Sequence, residues 1–215
     1  AVIATARRPA PLEELAERHP GVETAILDLM DADGVAELCD GIGPITGAVL
    51  NAGVTRVERF DEGSDATDAA MVETNVVANI RLARGLAPHL EGGRLVFVGS
   101  LAGQVPLPYQ AVYSGTKAFL HNFGLALRAE WAGRISVGVF EPGGIKTEMT
   151  DIEALSRLQS QLADADQVAD DLLAFLGSDR ALRTPGRVNR LSAAAARLLP
   201  DATMARLMER IYRQN

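Results

Sequence analysis

Short apolar runs rich in β-branched residues alternate with helical patterns along this chain, and that alternation leaves few folds open. Ala1 to Thr5, Val22 to Leu27, Ile45 to Leu50, Leu95 to Val98 and Ile135 to Phe140 read as strands. Between the first two, Leu12, Leu15 and Ala16 recur at helical spacing with Glu13, Glu14 and Glu17 outward, until His19-Pro20-Gly21 breaks the pattern. Asp31 caps a short helix to about Cys39, and a long helix is expected from about Thr67 to Leu90. A helix from Tyr113 to near Trp131 and one from Asp166 to Leu176 follow, and residues 189–212 read as two short helices split by Pro200-Asp201. Strands alternating with helices make βαβ units, so the fold class is α/β with a parallel sheet. Ligands of open parallel sheets bind beyond the carboxyl ends of the strands. Arg7, Asp28, Asn51, Ser100 and Pro142-Gly143 all fall at such ends, which points to one shared cleft.

The chemistry concentrates after the fourth strand. Ser100 lies just past it, and Tyr113 and Lys117 stand at i and i+4 on the following helix, hence on one face. A free phenol, with a pKa near 10, exchanges protons poorly at neutral pH. A nearby ammonium favours the phenolate, so Lys117 is expected to pull the Tyr113 pKa down. Ser100 could hold a substrate oxygen beside the phenol while a cofactor moves a hydride. The pairing is notable because Lys117 and Lys146 are the sole lysines among 21 basic residues.

At 215 residues the chain can bury one substantial core. Its single cysteine, Cys39, excludes an internal disulfide framework and reads as a small buried hydrophobe. His19, His89 and His121 lack metal-ligand spacing, so no metal is expected, and His121, one turn past Lys117, reads as structural. The net charge of −7 argues against nucleic acid as a partner. The charge is uneven: residues 180–215 carry eight arginines against Asp201 and Glu209, or +6, leaving −13 elsewhere. That tail is expected to be a solvated helical lid or an oligomer contact rather than a membrane-surface element, and with no apolar run long enough to span a bilayer a cytoplasmic location is expected.

Taken in order, these motifs resemble the short-chain dehydrogenase/reductase family, and the resemblance covers residues 1 to about 185. Asn51-Ala52-Gly53 resembles the family's Asn-Asn-Ala-Gly stretch, with Leu50 in place of the first Asn. Asn75 matches the asparagine of its catalytic tetrad, Ser100 stands thirteen residues before Tyr113, Tyr113-x-x-x-Lys117 is its signature, and Pro142-Gly-Gly-Ile-Lys-Thr147 resembles its nicotinamide-closing motif. The resemblance implies a Rossmann-like, doubly wound parallel sheet in a three-layer αβα single domain over residues 1–185, with 186–215 as a helical tail packed on or near it. It implies an oxidoreductase that interconverts a carbonyl and an alcohol. Tyr113 would be the general acid or base, Ser100 would bind the substrate oxygen, Lys117 the ribose hydroxyls, and Asn75 a proton-relaying water. Asp28 and Leu29 would flank the adenine, Asn51, Ala52 and Gly53 would line the cofactor, and Pro142, Gly143, Ile145 and Thr147 would close over it. Gln104 and Tyr109, in the loop between Ser100 and Tyr113, are candidate substrate contacts. A homodimer or homotetramer would use the helices around residues 69–88 and 113–131.

Arg7 selects the cofactor. Relatives that prefer NAD(H) carry an acidic residue at the end of the second family strand, where this chain has Ala6, Arg7 and Arg8. A guanidinium there pairs with a 2′-phosphate, so NADP(H) is expected over NAD(H). One departure stands out: the family's first strand and its Thr-Gly-x-x-x-Gly-x-Gly loop, which cradles the pyrophosphate, are absent. Three explanations are open: a fragment of a longer protein, which is favoured, a second chain that supplies the unit, or abandoned dinucleotide binding. The last would leave a non-catalytic Rossmann-like binding or scaffold protein.

Overall fold

The computed structural model describes residues 1–147, 162–196 and 198–213. In chain order, β1 (Val2–Ala6), α1 (Pro9–Arg18), β2 (Val22–Ile26), α2 (Ala32–Gly41) and β3 (Gly47–Leu50) come first. Next are α3 (Asp65–Val72), α4 (Ala78–Leu86), β4 (Arg94–Val98), α5 (Ala111–Glu130) and β5 (Ser136–Phe140). The chain continues with α6 (Ala165–Leu176), β6 (Leu182–Arg183), α7 (Arg187–Ala196) and α8 (Asp201–Arg213). All strand pairs are parallel.

The strands form two sheets where one was expected. β1 pairs with β2, and β3-β4-β5-β6 forms the second sheet. Among the described residues, neither β1 nor β3 has a strand on its other side. The two parts still share a core: Leu27, Val35 and Cys39 pack in one cluster with Leu50, Leu82 and Leu95.

β4 shows why the second sheet is covered on both faces. Every residue from Arg94 to Val98 is buried. Side chains alternate across a strand, so Leu95 and Phe97 join the cluster under α2, α4 and α5. Val96 and Val98 face the other way, with Phe140, Val168 and Phe175. This is the three-layer αβα arrangement. α5 lies close on the sheet at Gly124, where an added Cβ would be 2.5 Å from Val139. Far from the site, buried Arg94 joins the strand starts: it donates to Ser136 Oγ and to the Arg180 carbonyl, both at 2.6 Å, and lies over the Phe175 ring.

Two local expectations change. The long helix from Thr67 to Leu90 is interrupted by a π segment, Glu73–Val77, and closes in a 3₁₀ turn, Ala87–His89. The cap of α6 is Asp164, whose carboxylate accepts from the amides of Asp166 and Gln167, because its backbone is still extended there. Asp166 sits in the first turn instead. Asp31 does cap α2, accepting from Asp33 and Gly34. From Lys146 to Leu162 the sequence is polar, and the stretch after Thr147 reads as a lid that orders on binding; residues 148–161 lie outside the described residues.

α2 meets α4 at a point with no spare room: a Cβ added at Gly85 would fall 2.6 Å from Cys39 Sγ. Gly85→Val should therefore cost about 1–3 kcal/mol of unfolding free energy. Cys39→Ala in the same chain should recover part of that loss. Denaturant midpoints of the two variants and the parent check both statements.

Candidate active site

The carboxyl ends of β3 and β4 meet the first turns of α5. Ser100 follows β4 and caps a 3₁₀ turn, Leu101–Gln104, by accepting from the Ala102 amide at 3.1 Å. Ser100 stands close enough to the Tyr113 phenol to act on it as a hydrogen-bonding neighbour. Lys117, one helical turn on, is buried and donates from Nζ to the Val98 carbonyl at 2.9 Å. The structure thus brings Ser100, Tyr113 and Lys117 together.

The electrostatics differ from the expected pattern. Burial pushes the Tyr113 phenol above its ordinary value, and the Ser100 hydrogen bond offsets this in part. Lys117 does not pull the phenol down: its Nζ sits 5.8 Å from the ring centroid and bonds away from it, to the main chain. Burial also lowers Lys117 itself, to about 8. Two groups taken from water both shift toward their neutral forms, and desolvation outweighs their mutual influence.

Asn75 lies in the π segment and is fully buried. Its Oδ1 accepts from Val54 N at 2.8 Å, and its Nδ2 donates to Val54 O at 2.9 Å and to Thr116 Oγ1 at 3.1 Å. Its own carbonyl accepts from Asn79 Nδ2. Through these bonds the Asn75 side chain straps the β3 end to α5. Gly53 completes this corner, since a Cβ there would lie 3.2 Å from Asn75 Oδ1 and 3.4 Å from Lys117 Nζ.

The remaining candidates spread along the strand ends. Asn51 and Ala52 are exposed after β3, and Arg7 is exposed after β1. Asp28 is exposed and accepts from Met30 N in a turn, while Leu29 packs on the core. Pro142 joins the site directly, its carbonyl accepting from Leu101 N at 3.0 Å. Gly143 lies against Asn189 of α7, and Ile145 forms a parallel bridge with Ala163. Thr147 is exposed at the edge of the described residues.

Of the two substrate candidates, Tyr109 lines a cavity of about 40 Å³ beside Tyr113, together with Arg56, Glu58, Phe60 and Met71. It takes a left-handed backbone, φ 64°, which is rare and strained for a bulky side chain. That conformation turns its carbonyl to Glu58 N at 2.9 Å. Gln104 points elsewhere: its amide donates to Glu141.

Residues not singled out from the sequence also meet here. Tyr212 of α8 stacks on Tyr109, with ring centroids 6.1 Å apart, and donates to Gln110 Oε1 at 2.8 Å. Gln110 in turn donates to Thr55. The arginine-rich tail thus reaches the site through Tyr212 as well as through Asn189. No spacing in the sequence marks Tyr212, because its partners are a hundred residues away. Glu141, fully buried and not singled out from the sequence, pairs with the half-buried His121 of α5.

Residues 1–156 match the short chain dehydrogenase family. An uncharacterized oxidoreductase of Mycobacterium tuberculosis is 35% identical over 206 residues, spanning 91% of this chain and 76% of its relative. A sulfoacetaldehyde reductase of Chromohalobacter salexigens is 32% identical over 185 residues, covering 80% and 70% of the two chains. A short-chain dehydrogenase structure from Streptomyces avermitilis superposes with a TM-score of 0.80 at 25% identity, covering 100% of this chain and 89% of that one. The chain belongs to the short-chain dehydrogenase/reductase family, whose members are oxidoreductases that bind nicotinamide cofactors and act on small molecules. No helix among the described residues is long and apolar enough to cross a membrane.

The lowered Lys117 value makes a stability prediction. Between pH 8 and 10.5 the unfolded chain keeps this proton while the folded chain gives it up, so stability from this group rises with pH. Lys117→Met removes that dependence. Relative to the parent, the variant should be most favoured near pH 7 and lose roughly 3 kcal/mol of that advantage by pH 10.5. Unfolding free energies of both proteins across this range provide the check.

Proposed function

We propose that this protein is an NADP(H)-dependent oxidoreductase that interconverts a carbonyl and an alcohol, with Tyr113 as the proton donor in reduction and acceptor in oxidation. The observation that carries the reading is the half-buried Ser100–Tyr113 pair one helical turn from the buried Lys117 ammonium. A phenol pushed up by burial stays protonated through neutrality, which suits it to give a proton to a carbonyl oxygen.

The residues fit the nicotinamide half of the cofactor. Lys117 spends one N–H on Val98 and has two more to offer ribose hydroxyls. The Gly53 corner lets a ligand approach the backbone closely, and exposed Asn51 and Ala52 lie beside it. Arg7, exposed at the β1 end, would pair with a 2′-phosphate. When bound, the nicotinamide supplies or accepts the hydride. Ser100 holds the substrate oxygen at the phenol, Tyr113 moves the proton at its Oη, and Tyr109 with Tyr212 screens that oxygen from water. A homodimer or homotetramer through α4 and α5 belongs to the same reading, and light scattering on the purified protein tests it.

A second reading has its own support. The division of the strands into two sheets is compatible with a Rossmann-like binding protein without catalysis. NADPH fluorescence enhancement, followed by turnover on ketones, aldehydes and 3-oxoacyl thioesters, separates the two: no nucleotide binding by the full natural chain rejects the enzyme. Tyr113→Phe should lower kcat by about 10²–10⁴-fold. Arg7→Ala should raise KM for NADPH by about tenfold or more and leave that for NADH nearly unchanged. Equal effects on the two cofactors would refute the 2′-phosphate contact.

A further inference from the structure

Glu141 has no solvent exposure, yet the proton chemistry of Ser100, Tyr113 and Lys117 does not use it. A carboxylate so far from water persists only where partners compensate for its lost hydration. Both oxygens have them. Oε1 lies 2.7 Å from His121 Nδ1, and Oε2 accepts from Gln104 Nε2. The Glu141 amide also donates to the Arg183 carbonyl, which fixes the backbone from which the side chain projects.

The three residues come from three parts of the site. Gln104 ends the turn that Ser100 begins. His121 lies on α5 one turn beyond Lys117 and two beyond Tyr113. Glu141 leads directly into Pro142-Gly143. The contact is close throughout: a Cβ at Gly99 would lie 3.1 Å from Glu141 Cγ, and one at Gly103 would lie 2.5 Å from the Lys117 carbonyl carbon.

We infer that Glu141 is a positioning residue: its carboxylate clamps the Ser100 turn to α5 through Gln104 and His121, and so sets Ser100 Oγ against Tyr113 Oη. This rests on the roles given to Ser100 and Tyr113 above. Without the carboxylate, Gln104 loses the acceptor for its amide, and the turn loses its tie four residues from Ser100. The Leu101–Pro142 hydrogen bond remains, so the turn loosens rather than unfolds. The clamp works by geometry. A glutamine at position 141 would preserve it, its oxygen accepting from Gln104 and its amide donating to Nδ1 of a neutral His121.

The test uses the full chain with Glu141→Leu, Glu141→Gln and Gln104→Met. Backbone hydrogen exchange across residues 100–105 should quicken about tenfold or more in Glu141→Leu and Gln104→Met, and stay within about twofold of the parent in Glu141→Gln. With the best carbonyl substrate of the panel, kcat should fall about 10²-fold in the first two variants, with KM for NADPH nearly unchanged. Glu141→Gln should recover most of that kcat, which a role in bulk stability alone does not predict. Unchanged exchange at 100–105 in both clamp-breaking variants overturns the inference, as does an equal kcat loss in Glu141→Gln and Glu141→Leu. If Glu141→Leu does not fold, Gln104→Met removes one arm at nearly constant volume and carries both readouts. An inactive parent would reject the oxidoreductase reading alone, and the exchange rates would still decide the clamp.

Discussion

A lysine ammonium buried at the top of a parallel sheet, bonded to the carbonyl of Val98, is the constraint around which this structure is arranged. Such a cation can be placed only where several backbones come close together. α5 must descend on β4 and β5, which Gly124 permits. The Ser100 turn must press on the helix at Lys117 itself, where Gly103 leaves no room for a side chain. The β3 end must come within reach of Nζ, which Gly53 allows, with Asn75 holding Val54 in place. Each requirement brings a strand end or a turn to one helix face, and Ser100 and Tyr113 are there as a result.

The balance of forces on the phenol follows from that packing. A cation beside a phenol would lower its pKa, whereas burial raises it, and here burial wins. Lys117 spends its nearest donor on the main chain and is itself driven toward neutrality. The site consequently favours a protonated phenol, with the serine hydroxyl as its main polar partner. Cys39 shows the same effect away from the site: burial raises its thiol, with Asp40 adding to the shift, so it is a packing residue.

Much of this was legible in the sequence because it depends on short-range spacing. The i, i+4 relation of Tyr113 and Lys117 survives any change in the rest of the fold, and Ser100 is fixed by the end of an unmistakable strand. The alternation of strands and helices gave the parallel layers. What could not be read depends on direction and distance. Gln104 looked like a pocket residue because its loop borders one, but the side chain turns to a carboxylate 37 positions away. Glu141 looked like the end of a strand, and nothing local announces that an acid there will be buried. β6 is two residues long, too short for any periodicity, and exists because Val139 and Phe140 offer it a partner. The division into two sheets is likewise a property of pairing, which local propensity does not encode.

The π segment at Glu73–Val77 has a wider consequence. It amounts to one extra residue in an otherwise α-helical run. One residue is about 100° of rotation, so the halves on either side are out of phase by that angle. The first half, α3, packs on α5, and the second, α4, packs on α2. A single continuous rod could not aim one stripe at both neighbours. In such an arrangement a one-residue deletion is a larger change than most substitutions, because it would swing Leu82 and Leu86 out of the core while leaving every side chain chemically intact.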